Sequence, residues 1–299
     1  MKLALFDDWR VGVVDAGAET ITDVTEVVPG AHDSDQLGAG WWVRMCRDFR
    51  SLRAALEGAA RDGGARRLGD VRLRAPVLNP GKVIATASNY GDHVAEMRDV
   101  VLERVAGHVD TWLLDFDVFL KAPSSIVGPD DAVVLPAGPT AEGREVHHES
   151  ELAVVMSRGG SDIDAAHALD HVLGYTIGLD MTVRGDGDRS RRKSHDTFTP
   201  IGPWIVTADE IADPNKLEVR LEVDGVVRQD AKTADMLVDV AGIIAYTSSI
   251  MRLDPGDIIL TGAPPGVGQV QAGEVMISEI SEIGTMRNPV CASKGEVKR

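Results

Sequence analysis

The chain has 299 residues, enough for one large domain or a main domain with a small appendage. A formal charge of -16 and a pI near 4.9 argue against a nucleic-acid partner, whose phosphates need a basic face, while 43% hydrophobic and 26% charged residues describe an ordinary globular protein. Cys46 and Cys291 are too few for a disulfide framework or a cysteine metal cluster and fit a reducing cytoplasm, and no apolar run reaches the roughly 18 residues of a membrane span.

Residues 2 to 25 alternate apolar and polar through Leu3-Ala4-Leu5-Phe6 and Arg10-Val11-Gly12-Val13-Val14, which predicts short strands. Phe49, Leu52, Leu56 and Ala59 recur at helical spacing between Asp48 and Arg61, and Gly63-Gly64 ends that helix. A connection rich in Gly, Pro and Arg follows, so the division is placed near residue 75: a small α+β lobe over 1–75 and a main domain over 76–299. Val83-Ile84-Ala85-Thr86-Ala87 reads as a buried strand, after which Ser88 or Asn89 can cap a helix. On that helix His93 and Glu96 are neighbours, three residues apart. A carboxylate there can orient an imidazole and raise its basicity, giving an acid/base dyad; the same spacing also describes an exposed surface pair. A dyad of this kind has to close over its substrate, so about residues 90–115 are expected to be mobile.

Val118-Phe119-Leu120-Lys121 is a strand ending in a lysine, placed either to reach an anion or to be solvated. Val146 to Met156 reads as one strand, stopped by Arg158-Gly159-Gly160. Alternate residues face the same way, so His147, Glu149 and Glu151 share a face, with the Cα atoms of the two glutamates roughly 7 Å apart. Two acids on one face of a strand that runs into an apolar segment repel each other and lose solvation unless a cation or donors neutralise them. A bound metal does this; an edge strand with two solvated acids is the alternative. A short helix to His171 precedes the strand Gly174 to Val183, where Thr176, Gly178, Asp180 and Thr182 share a face of small side chains. Asp180 is there a third oxygen ligand or a partner of nearby backbone. Arg184, Arg189, Arg191, Arg192 and Lys193 then invert the charge locally, which invites an anion.

Leu217 to Val223 alternates, and Asp224-Gly225 turns a hairpin back through Val226-Val227. Met236, Val240, Ile243, Ile244, Thr247 and Ile250 predict a helix that ends at Asp254-Pro255-Gly256. Ile258-Ile259-Leu260 is a buried strand that runs into Thr261-Gly262-Ala263-Pro264-Pro265-Gly266-Val267-Gly268. The glycines of this loop let backbone N–H groups approach a ligand or simply turn the chain tightly.

Taken in order, Asn89 to Glu96, Phe119-Leu120-Lys121, His148-Glu149-Ser150-Glu151-Leu152, Gly174 through Asp180 and Arg184, Lys193-Ser194, Gly202-Pro203, Asp224-Gly225 with Gln229, Leu253 to Gly262 and Gly266-Val267-Gly268 resemble the fumarylacetoacetate hydrolase family over about residues 81–290. The resemblance implies an α+β, strand-rich fold, a mixed β-sandwich roll with its site at the open end, a homodimer, and a small N-terminal lobe. It implies Glu149, Glu151 and Asp180 as metal ligands, and three carboxylates suit Mg²⁺ or Mn²⁺. His93 with Glu96 becomes the acid/base and Lys193 a further catalytic group. Tyr90, Lys121, Arg184, Thr261 and Gly262 become binding residues for a small anionic 2-oxo or 2-hydroxydienoic acid. Ala263 and Gly185 depart from the family pattern, the loop from Arg184 to Lys193 is short, and the stretch between Glu96 and Lys121 is long. These departures surround the substrate rather than the metal.

The expected reaction is hydrolysis of a C–C bond in an acylpyruvate, as in aromatic-acid breakdown, because the His93–Glu96 pair supplies a base for water. Isomerisation or decarboxylation of a hydroxymuconate-type acid, or decarboxylation of oxaloacetate, is the alternative at the same metal. A non-haem iron oxygenase using His147 or His148, and a metal-binding module without chemistry, are the more distant ones.

Overall fold

The computed structural model describes residues 1–31, 40–96, 98 and 115–293. Residues 97 and 99–114, most of the stretch expected to move over the site, lie outside the described residues.

The first part of the chain forms β1 (Lys2–Phe6), β2 (Arg10–Asp15), β3 (Thr20–Asp23), α1 (Gly40–Asp62), β4 (Ala65–Arg67) and β5 (Leu73–Arg74). Next come β6 (Val83–Ala87), α2 (Gly91–Glu96), β7 (Asp117–Lys121), β8 (Ile126–Val127), β9 (Val133–Leu135) and α3 (Ala137–Ala141). The middle holds β10 (Val146–His148), β11 (Ser150–Met156), β12 (Val172–Leu179), β13 (Thr182–Val183), α4 (Arg189–Lys193) and β14 (Thr199–Thr207). The remainder is β15 (Glu218–Val223), β16 (Val226–Lys232), α5 (Val240–Ile250), β17 (Ile258–Leu260), β18 (Gly268–Gln269), β19 (Val275–Ile280) and β20 (Gly284–Ala292).

Twelve strands make one mixed sheet, with β4-β3-β2-β1-β14-β12-β11-β17-β6-β7 in line, β5 beside β1 and β8 beside β14. A second sheet runs β16-β15-β19-β20-β9, and a small third one runs β13-β10-β18. Strand β11 lies at the centre and its side chains split between two cores. Leu152, Val154 and Met156 share a core with Leu221, Met276 and Met286 of the five-stranded sheet, whereas Ala153 and Val155 belong to the core that holds Trp41, Met45 and Leu56 of α1. A strand buried on both faces has to be apolar throughout, which is why this run does not alternate beyond Glu151.

The structure changes several expected boundaries. The helix expected between Ser161 or Asp162 and His171 is a 3-10 segment, Ala165–His171, and the strand expected to reach Val183 stops at Leu179 and resumes as β13. The strand expected from Val146 to Met156 is likewise broken, at Glu149, into β10 and β11 in different sheets. The division expected near residue 75 falls in the connection between β5 and β6. Across it the large sheet is continuous, because β1 pairs with β14.

Candidate active site

β11 and β12 pair antiparallel down to Ser150 opposite Leu179, and one step further the Asp180 amide still donates to the Glu149 carbonyl at 2.8 Å. Beyond that bond both chains turn away into the small sheet, where Val146 pairs with Val183 and His147 with Thr182. Glu149 and Asp180 therefore sit at a corner between two sheets, with Glu151 just inside it. All three side chains are buried, and one oxygen from each lies within 4.8 Å of the others.

Cationic side chains converge on this corner from three other segments. Lys193, the last residue of α4, donates from Nζ to Glu149 Oε2 and to Asp180 Oδ2, both at 2.6 Å. Lys121, the last residue of β7, donates to Asp180 Oδ1 at 2.5 Å and to the Phe198 carbonyl at 2.8 Å. Only 2% exposed, it is an internal cation rather than a solvated strand end. Arg184 Nη2 donates to Glu149 Oε1 at 2.7 Å.

Glu151 is treated differently. Among the described residues it accepts one bond, at 2.6 Å from the Gly262 amide to Oε2, and its Oε1 is a buried atom with no partner. Burial raises the Glu149 carboxyl, but Lys193, Arg184 and His93 more than offset this and hold it well below the usual range. Burial, and then the charges of Asp180 and Glu149, push the Glu151 carboxyl well above that range. A buried carboxyl oxygen without a donor, beside two further carboxylates, is the environment that a hard divalent cation satisfies. The residues present fit such an ion.

The neighbouring histidines are engaged elsewhere. His147, which alternation puts on the face of the two glutamates, turns to Glu145 Oε2 at 2.8 Å because the strand breaks at Glu149. His148 Nδ1 faces Gln229 Oε1 at 3.2 Å. Burial lowers both imidazoles to about 4, so both are neutral near pH 7. Among the described residues the metal-capable cluster is the three carboxylates alone.

His93 is 9% exposed, so it is no surface residue, and its Nδ1 lies 3.5 Å from Glu96 Oε2. That is a loose contact by hydrogen-bond standards. Glu96 Oε2 also accepts from the Gly266 amide at 2.9 Å. Burial raises the Glu96 carboxyl, but His93 and the amides of Gly266 and Val267 outweigh it and hold the group below its ordinary value. Two glycine amides of the 261–268 loop thus serve the chain's own carboxylates, Gly262 for Glu151 and Gly266 for Glu96.

Tyr90 is buried, and burial together with the Glu151 charge raises its phenol. The Thr261 hydroxyl donates to the Leu152 carbonyl at 3.0 Å. Asn89, expected as a possible helix cap, instead donates to the carbonyls of Thr261 and Val238 at 2.8 and 3.0 Å. Its place in the Asn89 to Glu96 motif is the only sequence signal that could have marked it.

This strand-rich architecture around a corner of buried carboxylates agrees with the family comparison: the fumarylacetoacetate (FAA) hydrolase C-terminal model matches residues 82–291, and the chain belongs to that family. It is 39% identical over 287 residues to maleylpyruvate hydrolase of Aquipseudomonas alcaligenes, covering 96% of this chain and 98% of the relative. It is also 39% identical to maleylpyruvate hydrolase from Sphingobium sp. SYK-6, whose structure in complex with manganese (II) ion and pyruvate superposes with a TM-score of 0.85 over 98% of this chain and 100% of that one. A 5-carboxymethyl-2-hydroxymuconate delta-isomerase from Mycobacterium smegmatis is 34% identical, with a TM-score of 0.72 over 99% and 100% of the two chains.

Proposed function

We propose that this chain is a divalent-metal-dependent hydrolase that cleaves the C–C bond of an acylpyruvate, with maleylpyruvate as the first substrate to test. The observation that carries this reading is the buried corner of Glu149, Glu151 and Asp180, with Glu151 Oε1 unpartnered among the described residues, in a chain 39% identical to a maleylpyruvate hydrolase along nearly its whole length.

Glu149, Glu151 and Asp180 hold the ion in this reading. Bound Mg²⁺ or Mn²⁺ supplies Lewis-acid polarisation of a 2-oxo acid. Lys121, Arg184 and Lys193 bring positive charge to a protein whose net charge of -16 repels anions, and bind the substrate's oxygens. Tyr90, Thr261 and Gly262 complete the substrate-binding set in this reading, with the Gly262 amide on Glu151. His93 Nδ1 faces Glu96, which leaves Nε2 to take a proton from water. That water adds to the acyl carbonyl carbon. The bond from this carbon to C3 of the pyruvate half then breaks, its electron pair passes to the pyruvate enolate, and a proton returns to C3. The products are a carboxylic acid and pyruvate.

The test is turnover of maleylpyruvate by purified protein before and after chelation, and after Mn²⁺ or Mg²⁺ is restored. Equimolar maleate and pyruvate, lost with chelator and regained with metal, are expected; no pyruvate with either ion rejects the reading. Isomerisation or decarboxylation at the same site is the second reading, supported by the 34% identity to the M. smegmatis isomerase, and it releases no pyruvate in the same assay. A homodimer, which the family resemblance implies, belongs to the proposal; sedimentation tests it. A cytoplasmic location is supported by Cys46 and Cys291 both being free thiols.

A further inference from the structure

We infer that Asn89 is a positioning residue for the metal site: through the Thr261–Gly262 peptide it aims the Gly262 N–H at Glu151 and so fixes which Glu151 oxygen is left for the ion. The inference rests on the reading of Glu151 as a metal ligand.

The geometry is two hydrogen bonds joined through one peptide group. Asn89 Nδ2 donates to the Thr261 carbonyl at 2.8 Å, and the N–H of the same peptide group, that of Gly262, donates to Glu151 Oε2 at 2.6 Å. In a trans peptide the C=O and N–H point in opposite directions, so a donor that holds the carbonyl on one side also sets the direction of the N–H on the other. The peptide would otherwise be free to rotate, because Gly262 has φ +101° and no side chain to lock it. Asn89 and Thr86 also close the space beneath this turn: a Cβ at position 262 would lie 2.8 Å from Asn89 Cβ and 2.9 Å from Thr86 Oγ1.

Asn89 is itself held rigidly. Its Oδ1 accepts from the Val238 amide at 2.8 Å, its second Nδ2 hydrogen goes to the Val238 carbonyl at 3.0 Å, and its backbone carbonyl accepts from the Leu237 amide at 2.8 Å. On the far side, the Thr261 amide and hydroxyl both donate to the Leu152 carbonyl at 3.0 Å. With both ends of the peptide anchored, Oε2 of Glu151 is occupied and, among the described residues, Oε1 has no donor. Partners that orient a ligand in this way are worth 10- to 100-fold in metal affinity, on the order of magnitude seen in other metal sites.

The test is Mn²⁺ titration calorimetry on the metal-stripped full chain. Asn89→Asp keeps the acceptor for the Val238 amide but sets a carboxylate against two carbonyls; Asn89→Ser deletes the same donors without adding charge and serves if the Asp variant does not fold. Asn288→Ser is the control, since Asn288 is another buried amide that donates to two carbonyls, those of Gly128 and Asp131, away from the carboxylates. Mn²⁺ affinity is expected to fall about 10-fold or more in the Asn89 variants and to stay at the wild-type level in Asn288→Ser, even at similar losses of Tm. Adding Asn89→Ser to Glu151→Gln is expected to cost little more than Glu151→Gln alone, because both changes act on one contact. Wild-type affinity in Asn89→Ser, an equal fall in the control, or full additivity would overturn the positioning role. Should Glu151→Gln itself bind Mn²⁺ as wild type does, the metal reading falls first and this inference with it.

Discussion

His93 and Glu96 are the side chains whose chemistry depends most on placement. They are joined by a 3.5 Å contact, and the imidazole is not one of the three groups of the metal-capable cluster. Binding and proton transfer are then separable. His93→Ala is expected to leave Mn²⁺ affinity near wild type and to reduce hydrolytic kcat by about 10²-fold or more, read from calorimetry and steady-state kinetics on one preparation. A wild-type kcat would remove His93 from the reaction. Sequence spacing was enough to pair these two residues, since positions three apart on a helix are neighbours. It could not supply the Gly266 amide that fixes Glu96, because that partner comes from 170 residues further along the chain.

The loop from Thr261 to Gly268 does the most at the level of elements, because it serves Glu151 and Glu96 at once. Gly266 has φ +91°, and a Cβ there would lie 1.9 Å from the Arg228 carbonyl oxygen, a clash that only backbone movement relieves. Gly266→Ala is therefore expected to cost more than about 1 kcal/mol of stability, and to lower kcat with the loss of the amide to Glu96. Denaturant unfolding and kinetics check the two effects separately, and wild-type values in both would mean that the loop adapts freely. Glycines marked this loop in the sequence, but the pattern could not say whether their amides meet a ligand or the chain's own carboxylates. Alternation likewise put Glu149 and Glu151 on one face, yet it could not show the corner at Glu149, where the chain passes from one sheet to another and His147 turns away. A break of this kind depends on which strands are neighbours, and that is settled by distant pairings such as β10 with β18.

For the molecule as a whole, the question is how the first 75 residues are tied to the rest. Leu3, Leu5, Trp41, Trp42 and Leu56 share a core with Ala85, Ala153 and Ile258, so much of that attachment is apolar and insensitive to pH. Composition made a sizeable core predictable, but not that α1 would cover one face of the sheet carrying the active site, since no local pattern encodes a partner that far away. One ionic tie across this junction does titrate. Arg53 of α1 lies 2.6 Å from Asp209, just beyond β14. Its hydrogen bond to Asp209 is the largest influence on that carboxyl and lowers it from 3.8 to about 2. The folded value lies below the unfolded one, so the unfolded chain binds the proton first as pH falls. The stabilisation from Asp209 is then complete above about pH 4 and is lost as pH falls through about 2. Both side chains are partly exposed, so the effect is modest. Asp209→Asn should lower Tm by a small, constant amount between about pH 5 and 7, and the gap to wild type should shrink below about pH 4. Thermal unfolding of the two proteins across this range decides the matter: a gap that stays constant into acid would mean that Asp209 acts through packing, not through its charge on Arg53.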